Sequence, residues 1–318
     1  ATQNFATVTS SNNTAVGYNA GLSVTTGIQN TLLGSLAGDA LTDADFNVAV
    51  GVGALSGDTL GSRSVAIGTY ALNAQNFTTA TNSFNVAVGH SAGTLISTGI
   101  QNTLVGGLAG DALTDADKNV AIGYNALGAD TLGSQSVAIG QDALKLQNFT
   151  TATNVFNVAV GALSGDAITT GDKNVLVGGA SGGALTTGAE NTALGTSALA
   201  ADTLGKYIVA IGRSALEAQN CTTDTASYNT AVGYSAGVAV TTGIDNVLIG
   251  ALAGDALTDA DKNVAIGKGA LSSDTMGSKS VAVGQGTLNV QNFTTATDSL
   301  NVAAVSYTHL RAHETEQH

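Results

Sequence analysis

Small apolar residues return along this chain in one short phrase: "NTAVG" from Asn13, "NTLLG" from Asn30, "NVAVG" from Asn47 and "SVAIG" from Ser64. The closing glycines fall at 17, 34, 51, 68, 89, 106, 123, 140, 161, 178, 195, 212, 233, 250, 267 and 284. Three steps of 17 and one of 21 alternate, so sets of four coils recur every 72 residues and anchors 17, 89, 161 and 233 are equivalent. A helical-pair repeat needs about 33 residues or more, and this phrase is β-branched, ends in glycine and lacks helix caps. The pattern predicts an all-β chain, a parallel β-solenoid in which each coil buries its apolar face only by stacking on the next.

Positions within a coil sort by size. The residue just before every anchor glycine is Val, Ile or Leu, which predicts the inward core row. One step earlier stands Ala, or Leu at Leu32, Leu104, Leu176 and Leu248, so the opposite strand face is expected to be apolar and covered as well. Ala, Ser or Thr follows three residues after the glycine and permits close approach of a second strand. The phrase opens with Asn at Asn13, Asn30, Asn47, Asn85, Asn102, Asn119, Asn157, Asn174, Asn191, Asn229, Asn246 and Asn263. Stacking places these amides in a ladder, each bonding the next coil, which is a structural role. A thin rod with an apolar outer strand face is expected to associate with copies of itself.

Composition narrows the function classes. With 43% hydrophobic residues, 41 glycines, and no proline or tryptophan, the chain is too apolar for disorder and too poor in large side chains for a thick core. A net charge of -13 argues against nucleic-acid or anionic-membrane partners. Apolar runs stay far below the roughly 20 residues of a spanning helix, so no membrane insertion is expected. The single Cys221 has no internal disulfide partner.

A seventeenth anchor glycine is due at 305, but the chain reads "NVAAVSYTHLRAHETEQH" and leaves the pattern. The segment Val305 to Thr315 resembles the translation of a transposase-end sequencing adapter. The expected organisation is therefore a solenoid over 1–304, a fragment at both ends, and a non-native tail over 305–318. His309, Arg311, His313 and His318 are set aside as sites.

Phrases such as "NSFNVAVGHSAG", "SQSVAIGQDAL" and "NTAVGYNAGLSVTTGIQNTLLG" resemble two related repeat vocabularies. One belongs to the heads of YadA-like trimeric autotransporter adhesins. The other is the "NTAIGYQA" repeat of phage tail-fibre proteins, which often end in an endosialidase-type intramolecular chaperone. The resemblance implies a left-handed β-roll and a homotrimer, extracellular on a virion or a bacterial surface. It also implies a face that meets a cell-surface glycan or protein receptor. The 17- and 21-residue coils exceed the usual adhesin head repeat, which favours a tail fibre over an adhesin head.

Candidate chemistry is sparse. Each long coil carries "QNFTTAT" or a close variant, and its loop makes Asn76, Phe77, Asn148, Phe149, Asn220, Asn292 and Phe293 the receptor-contact candidates; Cys221 replaces the aromatic once. The alternative is a bulge whose aromatic folds back over the roll. "AGDALTDAD" brings Asp43 and Asp45, Asp115 and Asp117, and Asp259 and Asp261 to calcium-like spacing, although an EF-hand's glycine and closing Glu are missing. Solvated turns with Asp bonding backbone amides are the simpler expectation. His90 has Tyr18, Ala162 and Tyr234 as its equivalents, so no catalytic or metal set repeats, and neither cofactor nor enzyme activity is expected. A polysaccharide-degrading tailspike with an acid pair between subunits is the enzyme alternative. Ice binding would need Thr arrays on every coil, whereas the "TTAT" phrase comes once per 72 residues.

Overall fold

A computed structural model describes residues 10–304, which fall into two compact units, one ending at Ala189 and the other beginning at Glu190. The tail over 305–318 lies outside the described residues, as does Gln3, where a partial copy of the long-coil phrase begins. Both units are parallel β-solenoids, with no helix among the described residues. In the first, three-residue strands run from Thr14–Val16, Thr31–Leu33, Val48–Val50 and Val65–Ile67 through to Val175–Val177. In the second they run from Thr192–Leu194 and Val209–Ile211 to Val302–Ala304. Thr14 pairs with Thr31, and Val65 pairs with Val86, so the register steps by one coil whether that coil is short or long.

The anchor glycines set this register sterically. Gly106 has φ +138°, and a Cβ added there would lie 2.4 Å from the carbonyl oxygen of Gly123. Any side chain in this column would push adjacent coils apart. Left-handed backbone also recurs at non-glycine corners, as at Phe46 (φ 60°), Arg63 (φ 65°) and Phe84 (φ 50°). The cost, about 1–2 kcal/mol per residue, is borne because interstrand bonds on both sides fix the corner. The Arg63 N–H, for example, donates to the Asp45 carbonyl at 3.0 Å.

The core row differs from the expected one. Side chains one step before the pre-glycine position point inward: Leu32, Ala49, Ala66, Ala87, Leu104 and Ala121 are all buried. The Val, Ile and Leu beside the glycines face out, Leu33 being 42% and Ile122 37% exposed. Alternation along a three-residue strand sends the middle residue one way and its neighbours the other. Volume decides which way. The thin interior takes Ala, with one Leu per set; Leu32 fits because its methyls lie where Gly21 and Gly38 carry no Cβ.

The asparagines join coils by way of the backbone. Asn30 Oδ1 accepts the N–H of Asn47 (2.9 Å) in the next coil, while its Nδ2 donates across the coil interior to the Ala44 carbonyl (2.7 Å). In the second unit Asn229 Oδ1 accepts the N–H of Asn246 (2.8 Å) and Nδ2 reaches the Gly243 carbonyl (2.7 Å). Each amide thus closes its own coil and fastens the next, satisfying backbone groups that no sheet partner reaches.

Threonines also stack more often than expected. Thr25, Thr42 and Thr59, then Ser97, Thr114 and Thr131, occupy one column, with Asn76 and Asn148 in the long coils. The repeat of "TTAT" hid this column because its members sit in different phrases. Their hydroxyls are spent on the solenoid itself: Thr42 Oγ1 donates to the Thr59 carbonyl and Thr114 Oγ1 to that of Thr131, both at 3.0 Å.

Candidate binding surface

The long-coil loop is built around a buried carboxylate. Asp58 and Asp130 are fully buried, seven residues beyond their anchor glycines, where other coils place Val24, Leu41, Ile96 and Leu113. Asp130 Oδ1 accepts the N–H groups of Gly133 and Phe149 (both 3.0 Å), and Oδ2 accepts from Gln147 Nε2 (2.5 Å). Gln147 also donates to Ser136 Oγ (3.0 Å) and accepts from Asn157 Nδ2 (2.8 Å). Gln147 thereby joins Ser136, which opens its phrase in place of Asn, to Asn157 of the next phrase, side chain to side chain. Asp202 binds Gly205 and Cys221 N–H groups in the same way in the second unit. Burial pushes Asp58, Asp130 and Asp202 above the ordinary carboxylate range, against the downward pull of these hydrogen bonds.

This tie turns the loop aromatics inward. Phe77 and Phe149 are buried, Cys221 is buried in their place, and Phe293 is half-buried. Asn76, Asn148 and Asn292 are exposed and Asn220 is half-buried, each accepting a hydroxyl from the preceding coil, as Asn76 Oδ1 does from Thr59. What the loop offers outward is asparagine and threonine. Its return segment Thr81–Asn82 pairs with Gly61–Ser62, so the extra residues are stitched to the preceding coil. Burial and the Asp202 carboxylate hold the Cys221 thiol at about 11, so it remains protonated at neutral pH.

The paired aspartates are spent on the solenoid. Asp43 Oδ1 accepts the Thr26 hydroxyl (2.6 Å) and Asp45 Oδ1 accepts the Ile28 N–H (2.8 Å). Asp115 and Asp117 bind Thr98 and Ile100, and Asp259 and Asp261 bind Thr242 and Ile244, in the same way. No three His, Cys, Asp or Glu side chains among the described residues form a metal-ligand group. Asp39, Asp111 and Asp255 each keep one buried carboxylate oxygen without a hydrogen-bond partner, and burial raises all three.

Two outward columns remain. The first is the apolar strand face, where Leu33, Ile67 and Ile122 in one unit and Leu194, Ile249 and Ile266 in the other stand exposed. The second occupies the left-handed corner just before each phrase. It carries Phe46, Arg63, Phe84, Lys118 and Phe156 in the first unit. In the second unit Tyr207 and Tyr228 stack there with centroids 5.3 Å apart.

No protein-family model matches the chain. No curated protein is significantly similar to it either.

Sequence reasoning missed both the buried aspartates and the corner column. The aspartates had a signal, since Asp58 and Gln75 occupy a position that is Val24 and Leu41 in the coils before. The corner column had none, because Phe, Arg and Lys carry no turn signature. No helix among the described residues is long and apolar enough to cross a membrane.

Proposed function

We propose that the chain is a structural and adhesive segment of a homotrimeric fibre, a phage tail fibre or a related surface fibre, extracellular on its virion or cell. In this reading its coils form left-handed β-rolls in 72-residue sets, and the fibre presents a face to a cell-surface glycan or protein without cleaving it. The observation that carries the reading is the outward strand face. Its pre-glycine column is Val, Ile or Leu in every coil that has an anchor glycine, half-buried to exposed, and this stripe runs along each unit. Contiguous exposed apolar surface of this kind is costly in water and favours self-association. Three copies around an axis parallel to the solenoid would cover the stripe with identical, in-register partners. The corner column varies from aromatic to charged and suits the free outer surface.

Sedimentation equilibrium tests the assembly. A mass of three 31.2 kDa chains is expected, and a monodisperse monomer would overturn the reading.

A further inference from the structure

We infer that Arg63, held between Phe46 and Phe84, is a receptor site for the carboxylate of an acidic glycan. The inference rests on the fibre reading and gives its binding face a place and a chemistry. The Arg63 guanidinium carbon lies 4.8 Å from the Phe46 ring centroid and 5.9 Å from that of Phe84. Its Nε donates to Asn82 Oδ1 at 3.0 Å, so the inserted segment of the long coil orients the fork. The terminal amino groups have no acceptor among the described residues, and all three flanking side chains are exposed.

Another set makes a different use of this corner. At the equivalent corner in the last set, Lys279 meets Asp298 at 2.5 Å and its charge is neutralised. Arg63 meets the neutral Asn82 instead, so its full charge is presented between two apolar walls. Five of the nine basic residues outside the tail hold this corner position of their coils: Arg63, Lys118 and Lys173 in the first unit, Lys262 and Lys279 in the second. A molecule of net charge -13 repels polyanions in general, so capture must be local. A planar guanidinium takes a carboxylate through two parallel bonds, and the exposed ring edges on either side of it offer apolar contact to the C–H groups of a sugar. A uronate offers both within one rigid residue, whereas the carboxylate of a peptide side chain has no rigid apolar face beside it.

Biosensor retention on immobilised polygalacturonate, alginate and hyaluronate tests the site in the assembled protein. Binding to at least one of them is expected, with loss on methyl esterification of the carboxylates. Arg63→Gln should weaken it roughly tenfold or more, Arg63→Lys should not restore it, and Gln135→Ala at the equivalent corner should leave it unchanged. The inference is overturned by retention of none of the three, equal retention of the ester, equal retention of poly-glutamate, or an unchanged Arg63→Gln variant. Sedimentation of the same samples separates the two readings: trimers without uronate binding sink only this inference.

Discussion

Consecutive coils fill the same interior in two different ways. In the coils anchored at Gly89 and Gly106, the corner four residues on is Gly93 or Gly110, and the core is filled three residues later by Ile96 or Leu113. In the next two, Leu127 and Leu144 fill it from the corner, and the later position becomes Asp130 or Gln147. The backbone hardly differs, with φ 55° at Gly110 and 54° at Leu127. A Cβ on Gly110 would lie 2.8 Å from Leu113 Cδ1, so the two sources of volume exclude each other. Filling from the corner frees the later position for polar groups, and those groups hold the long-coil loop. The apolar solution supplies stability alone; the polar one also ties down an insertion.

Truncating each solution separates these roles. Leu113→Ala empties a fully buried site and should cost the most, about 2–5 kcal/mol in chemical denaturation, without selectively exposing the loop. Asp130→Ala leaves the Gly133 and Phe149 N–H groups and one N–H of the Gln147 amide unsatisfied, at a cost of about 2–3 kcal/mol. Its signature is local: hydrogen exchange should accelerate at residues 148–153 ahead of the strands. Equal protection of loop and strands in this variant would mean that Asp130 does not hold the loop.

The smallest effect is on pH dependence. Burial raises Asp58, Asp130 and Asp202 above 3.8, so between 3.8 and their raised values the folded chain holds protons that the unfolded chain has released. Stability from these groups is fully present below 3.8 and is lost as pH rises through the raised values. Melting temperature should therefore climb on mild acidification of the wild type. In the Asp58→Asn, Asp130→Asn, Asp202→Asn triple variant the climb should shrink, with a residue left by Asp39, Asp111, Asp166 and Asp255, which burial shifts the same way. An unchanged slope would remove the buried carboxylates from the account.

The solenoid and its strand register were readable because the anchor glycine is enforced by backbone contact, and a Cβ clash leaves a strict spacing. Which strand face points inward was not. Ala and Val are both apolar, and the choice between them rests on an interior volume that only the stacked coil defines. Asp58 was overlooked because carboxylates in a polar-looking phrase read as turn residues, although its column is otherwise apolar or Gln. Phe77 shows the same limit: an aromatic in a loop phrase could face either way, and the hydrogen bond from its N–H to Asp58 (3.1 Å) decides it. Arg63 and its two rings are far apart in sequence and meet only because the corners stack.

In the proposed fibre, copies of the same chain cover the outward Val, Ile and Leu stripe. Thiol-labelling rates read that coverage, in a Cys221→Ser background carrying either Ile122→Cys on the stripe or Gln101→Cys on the corner column. In a lone chain both positions are exposed. Ile122→Cys should react roughly tenfold or more slowly than Gln101→Cys in the native protein, with the two rates converging in denaturant. Equal rates in the native protein would mean that the stripe stays open to solvent and that no copy covers it.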